Sequence, residues 1–203
     1  MSEAQFVLLV IAVVAAFLIG SIPFGYLIGR TFYRTDIRAQ GSGNIGAMNA
    51  LRTLGKAGGA AVLLLDAFKG FVPTFLAAAY FQSSVAAAIV AGAAVLGHCF
   101  SPWLRWRGGK GVATSFGAIF AISWPSGLVA VGGWIAGALL TQYSSVGSML
   151  GSVLAAIALW FFTGSVASTV YGAFAAAFII YTHRENLARL RAGSEGPIRL
   201  FKR

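Results

Sequence analysis

Apolar residues run through this chain in long blocks separated by short polar links. Seven blocks stand out: Phe6 to Ile28, Gly59 to Phe81, Val85 to Phe100, Val112 to Trp124, Ser126 to Leu140, Val146 to Phe162 and Val166 to Tyr181. A helix that crosses the bilayer hydrocarbon needs about 20 mainly apolar residues, within a range of roughly 17–25. The blocks therefore predict seven transmembrane helices. The fourth is short for a crossing, and two readings stay open: it starts as early as Gly108, or it is re-entrant. Short links predict antiparallel neighbours. The 26 glycines and many alanines suit close helix packing in lipid. No internal repeat is evident, so residues 1–203 read as one all-α membrane domain.

Composition excludes a water-soluble globule. Hydrophobic residues make up 58% of the 203 and charged residues 10%, where a soluble domain carries about 25% charged. The net charge of +10 raises nucleic acid as a partner, but the placement of the charges argues against it. All basic residues except Lys69 fall in three segments. The first holds Arg30, Arg34, Arg38, Arg52 and Lys56; the second Arg105, Arg107 and Lys110; the tail Arg184, Arg189, Arg191, Arg199, Lys202 and Arg203. The links near Gln82, Pro125 and Gly164 carry no charge. Lys and Arg mark cytoplasmic loops. Seven crossings put all three basic segments on one side; six would divide them. The expectation is an N-terminus outside and a C-terminus in the cytoplasm. Glu3, with no early Lys or Arg, does not suit a cleaved signal, so the first block stays as a span. The tail from Arg184 to Leu190 suits a short helix on the inner leaflet or a solvated end.

The chemistry sits in the basic segments. The first contains GSGNIGAMNALR, Gly41 to Arg52. Gly41, Gly43 and Gly46 match a dinucleotide fingerprint, but that motif needs a strand before it, and here a membrane span precedes it. What survives is the physics of the loop. Glycines let amides turn inward as an anion nest, Ser42, Asn44 and Asn49 add polar groups, and Arg52 adds a fork suited to phosphate. The second contains GHCFSPWLRWRGGKGVAT, Gly97 to Thr114. Lys110 is followed by Gly111 and not by Ser or Thr, which argues against a nucleotide-hydrolysing loop. Gly108, Gly109 and Gly111 around Lys110 again favour an anion, and Trp103 and Trp106 suit the membrane interface.

Other polar residues carry two readings each. Asp66 and Lys69 are spaced to pair on one helix face inside a span; either they fix packing or Lys69 helps bind a phosphate. His98 and His183 end spans, and each is a polar cap or a general base. Ser144, Ser145 and Ser148 cap a helix or donate to a ligand. The lone Cys99 excludes an internal disulfide, and with His98 makes a poor metal site, so no metal is expected.

Taken together, these stretches resemble the bacterial acyl-phosphate-dependent glycerol-3-phosphate acyltransferases. The resemblance runs in order through SIPFGYLIGR, GSGNIGAMNALR, LLLDAFKG, GHCFSPWLRWRGGKGVAT, YSSVGS and HRENLARLRAGSEGPI, nearly the whole chain. It implies seven spans in the bacterial cytoplasmic (inner) membrane with the active site on the cytoplasmic side. It implies transfer of a fatty acyl group from acyl phosphate to glycerol 3-phosphate, giving 1-acylglycerol 3-phosphate and phosphate, without a cofactor. That reaction opens phospholipid synthesis. Ser42, Arg52, Lys110, His183 and Asn186 map onto substrate-binding positions, with Ser145 in the same pocket; Gly43, Asn44, Gly46, Asn49, Lys69 and Gly109 join them as candidates. Ile45 and Met48 stand where the family usually has Pro and Thr, Gln142 where a basic residue is common, and Ser194 and Pro197 in a variable region.

In the implied reaction the proton of the attacking hydroxyl goes to His98, to His183 or, the favoured route, to the donor's own phosphate. Neither histidine has a carboxylate partner evident in the sequence. A rival reading is an anion transporter, for which repeats and a midplane site are typical. A metal-dependent phospho-alcohol transferase would need several carboxylates, and the chain has five scattered acids. The sequence leaves the oligomeric state open, with a monomer as one reading.

Overall fold

The computed structural model describes residues 2–198, so the tail charges Arg199, Lys202 and Arg203 lie outside the described residues. Among the described residues every regular element is helical. Nine α-helices follow in order: α1 Glu3–Gly20, α2 Phe24–Phe32, α3 Ala47–Phe81, α4 Ser84–Cys99, α5 Val112–Ile122, α6 Trp124–Thr141, α7 Ser144–Thr163, α8 Val166–Thr182 and α9 Arg184–Arg191. Short 3₁₀ turns at Ile37–Ala39 and Pro102–Leu104 sit in the two long connections.

The bundle is apolar outside and more polar inside. Leu64, Leu140 and Phe161 are 57%, 83% and 77% exposed, whereas Asp66, Lys69, Thr74, Ser115 and Ser152 are buried. Water would reverse that order. Lipid permits it, because polar groups in hydrocarbon must find partners within the protein. The chain is a multi-pass membrane protein. Five helices, α1, α3, α4 with the turn after it, α6 and α7, are long and apolar enough to cross, and α8 with α9, bent by 53°, counts as a sixth.

The first and fourth blocks form shorter helices than predicted. The first block does not run unbroken from Phe6 to Ile28. α1 ends at Gly20, and α2 starts again at Phe24. Pro23 has no amide to continue the ladder and disfavours helical geometry at Ile22. The carbonyls freed at this break find partners elsewhere: Ser101 Oγ donates to Ser21 O at 2.7 Å and Lys69 Nζ to Ile22 O at 2.8 Å. The fourth block forms only the 11 residues of α5, about 16 Å at 1.5 Å per residue, against a core of about 30 Å.

The second span is also longer than its apolar block. α3 begins at Ala47, so half of the first glycine-rich segment is helix, with a non-helical kink at Gly55 (φ +79°). Glycines set how closely α3 and α5 approach. A Cβ on Gly70 would overlap the carbonyl oxygen of Thr114, and one on Gly117 that of Ala67. These two contacts press together two helices that both line one cavity.

Candidate functional site

One cavity of about 950 Å³ collects most of the residues singled out above. Its mouth is polar, with Ser42, Asn44, Arg52, Lys110, Ser145, His183 and Asn186 on the lining. Its inner arm is apolar, walled by Leu63, Ala67, Phe116, Phe120, Val131 and Ile135 from α3, α5 and α6. His98 and Asp66 lie on the lining between α4 and α3. Gly46 and Asn49 also reach it; Gly43, Lys69 and Gly109 do not.

The first loop is built around Asn49. Its side chain is buried; Nδ2 donates to Ile37 O and Asn44 O, both at 2.8 Å, and Oδ1 accepts from Ser42 N at 2.9 Å. Gly43 N donates to Gln40 O and Gly46 N to Asn44 Oδ1. The amides of Ser42, Gly43 and Gly46 are thus satisfied inside the loop and do not form the expected nest. Ala47 and Met48, whose amides open α3, are among the residues lining the cavity. A helix start leaves such donors without intrahelical partners.

The second loop repeats this design. Gly108 N donates to Cys99 O at 2.9 Å and Gly109 N to His98 O at 3.0 Å. Gly109 packs flat on the His98 ring, where a Cβ would overlap Nε2. Gly111, at φ +82°, is the N-cap of α5 and sends Val112 and Ala113 along the cavity wall. Two helix starts, α3 and α5, therefore meet at the mouth, each carrying partial positive charge.

Lys110 projects from this loop and donates to Asn186 Oδ1, while its carbonyl accepts from Thr182 Oγ1 at 3.0 Å. Burial, then the nearby Arg189 and Arg52 charges, hold its ammonium below the ordinary lysine value. Asn186 Nδ2 donates to Glu195 Oε1 at 2.5 Å, Ser145 Oγ to the same oxygen at 3.2 Å, and Arg189 Nε to Oε2 at 2.7 Å. Burial pushes the Glu195 carboxyl up, but the Asn186 and Arg189 hydrogen bonds outweigh it and leave it below the usual carboxylate value. Arg52 Nη2 donates to Gly196 O at 3.3 Å.

The histidines differ in environment. His183 is buried, and its Nδ1 lies 2.8 Å from Ile179 O. A carbonyl only accepts, so Nδ1 carries the proton and Nε2 keeps a lone pair. Burial, then the Lys110 charge, lowers His183 to about 4, so the ring is neutral at pH 7. His98 Nδ1 stands 3.7 Å from Asp66 Oδ1. The fold thus brings to His98 a carboxylate that no sequence spacing signalled. Asp66 is itself held by Lys69 at 2.7 Å, with both side chains 2% exposed. With Ile22 O as its other partner, Lys69 fixes the α1–α2 break and does not face the cavity. These contacts are those of the structural reading, and the substrate-binding reading has no contact beside them.

Two contributors were not foreseen. Glu195 and Arg189 line the mouth. Glu195 is one of two acids in a mainly basic tail, beside Glu185, and nothing set it apart; Arg189 was hidden among five other tail arginines and lysines.

The same arrangement of helices has been seen before. The family model for glycerol-3-phosphate acyltransferase matches residues 10–193. The chain belongs to the glycerol-3-phosphate acyltransferase family. It is 41% identical over 190 residues to glycerol-3-phosphate acyltransferase 2 of Thermotoga maritima, covering 94% of this chain and 96% of the relative. It is 44% identical over 196 residues to the glycerol-3-phosphate acyltransferase of Dinoroseobacter shibae, covering 97% and 96%. The crystal structure of PlsY (YgiH), an integral membrane glycerol 3-phosphate acyltransferase, in its glycerol 3-phosphate form superposes with a TM-score of 0.89 at 37% identity, over 93% of this chain and 94% of that one. Its lysophosphatidic acid form gives 0.87 at 36%.

Proposed function

We propose that this protein transfers a fatty acyl group from acyl phosphate to the 1-hydroxyl of glycerol 3-phosphate, releasing 1-acylglycerol 3-phosphate and inorganic phosphate. The observation that carries the reading is the shape of the cavity: a cationic mouth continuous with an apolar arm between membrane helices. A phosphate ester suits the first and an acyl chain the second. Arg52, Lys110 and Asn186 would hold phosphate, Ser42 and Ser145 would add hydroxyl donors, and the α3 and α5 starts would offset charge.

The chemistry is mainly positioning. The glycerol oxygen attacks the acyl carbon, that carbon–oxygen bond forms, and the bond to the donor's phosphate breaks. Two phosphates repel, each with about −1.5 to −2 charge if its second pKa is near 6, and the cations offset that. Holding the hydroxyl against the carbonyl contributes on the order of 7–11 kcal/mol in ideal cases. Direct transfer is supported by the serines on the lining: among the described hydrogen bonds none joins Ser42, Ser144, Ser145 or Ser148 to a histidine. The hydroxyl proton goes to the departing phosphate, with His98 or His183 as the alternative acceptor.

The chain would sit in a bacterial inner membrane with seven spans, N-terminus outside, and the mouth facing the cytoplasm. Supporting this, Lys110 meets Asn186 and Arg52 meets Gly196, so the three basic segments converge on one end of the bundle. α5 then makes the fourth crossing with help from the loop before it. A monomer holds the whole cavity.

The test is a purified protein given acyl phosphate and glycerol 3-phosphate without metal or coenzyme A. Phosphate and acylated product should appear one to one and be lost in Lys110→Ala. Retained turnover in both His98→Gln and His183→Gln would support the substrate-assisted route. Phosphate without acylated product would refute the acceptor; radiolabelled glycerol 3-phosphate trapped unmodified in vesicles would point to transport.

A further inference from the structure

The tail beyond α9 returns to the mouth. Gly193, at φ +66°, reverses the chain, and the amides of Gly193 and Ser194 bond back to Leu190 O and Arg189 O. Residues 194–198 then cross the opening as a strap. Buried Ile198 anchors the far side, its amide donating to Gln142 O at 2.7 Å. Between the two ends, the Glu195 side chain enters the cavity and is 8% exposed.

What Glu195 occupies is the point. Its oxygens take Asn186 Nδ2, Ser145 Oγ and Arg189 Nε, and the next residue's carbonyl takes Arg52 Nη2. A carboxylate and a phosphate ester accept from the same donors. Arg52, Ser145 and Asn186 are the groups assigned above to substrate. One N–H or O–H cannot serve both fully, and a phosphate dianion beside Glu195 would face a like charge.

We propose that Glu195 is a built-in competitor for the phosphate of the substrate. The strap closes the mouth by placing this carboxylate on the phosphate donors, and a phosphate ester enters by displacing it. Glu195 thereby sets the affinity of the site for phosphate. Apart from Arg52 on Gly196 O and the buried Ile198, the strap is held mainly through the Glu195 carboxylate itself. Gly193 and Gly196 bracket Glu195 in open space, and Ile198 supplies the one backbone bond beyond it among the described residues. A site open for only part of the time binds with an apparent affinity reduced by that fraction. The proposal rests on Arg52, Ser145 and Asn186 being phosphate donors.

The test measures binding of inorganic phosphate by calorimetry, and the KM for glycerol 3-phosphate, in Glu195→Gln and Glu195→Ala. Both constants should fall by about two- to fivefold, the upper part of the range for one partly exposed ion pair. A rise in either constant, or phosphate binding unchanged within about twofold, would overturn the proposal and make Glu195 an ordinary wall of the site. Gln keeps the size of the side chain, and thermal unfolding confirms its fold. A spin label on exposed Ser194→Cys reads the strap directly: added phosphate should mobilise it, and an unchanged spectrum with phosphate bound would also overturn the gate. Phosphate binding does not depend on acyl transfer. A wild-type protein that binds phosphate but acylates nothing sinks the acyltransferase reading alone; failure of every form to bind phosphate sinks the gate with its donors.

Discussion

Replacing Lys69 with Met separates the structural reading of that residue from a substrate-binding one. Its Nζ lies 2.7 Å from Asp66 Oδ1 and 2.8 Å from Ile22 O, and the Lys69 and Asp66 side chains are both 2% exposed. Methionine matches the length but leaves Asp66 without its cation and Ile22 without its donor. Removing one partner of a buried pair costs about 3–5 kcal/mol. A chain of this size loses roughly 2–4 °C of melting temperature per kcal/mol, so the midpoint should drop on the order of 10 °C. The assay is thermal unfolding in detergent, run alongside the KM for glycerol 3-phosphate on the folded fraction. Asp66→Asn combined with Lys69→Met should recover part of the lost stability, because the uncompensated charge is then gone. A stable Lys69→Met protein with a raised KM would refute the reasoning and return Lys69 to the phosphate.

Other expectations follow from the same geometry. Gly117→Ala places a methyl on the Ala67 carbonyl, so α3 and α5 must separate, at a cost of about 1–3 kcal/mol, read as a lowered unfolding midpoint. His183 is held at about 4 in the folded protein, first by burial and then by Lys110, against about 6.5 when unfolded. The unfolded chain therefore binds the extra proton between those values. Stability should fall as pH drops from about 6.5 to 4, by up to about 1.4 kcal/mol per unit, and His183→Gln should flatten that slope.

Much of the frame was readable before any coordinates. Apolar blocks locate helices because a bilayer demands length and hydrophobicity from each crossing on its own, without reference to neighbours. The basic segments around Arg52, Lys110 and Asn186 pointed to a site suited to an anion for a similar reason: cationic and glycine-rich stretches are unusual in such a chain. Even so, Pro23 marked a break that block length concealed, and the 11-residue α5 was shorter than its apolar block.

The sequence by itself determined the membrane class, the approximate helices and a set of residues whose chemistry suits a phosphate. Family membership followed from ordered motifs spread over nearly the whole chain. Only the tertiary structure decided what each polar group faces. Lys69 turned to a backbone break, Asn49 turned inward to hold its loop, and Asp66 came beside His98. Glu195 entered a mouth whose other walls come from α3, α7 and α9. The physical reason is that hydrophobic length acts locally, whereas a hydrogen bond depends on position and direction between segments far apart in the chain.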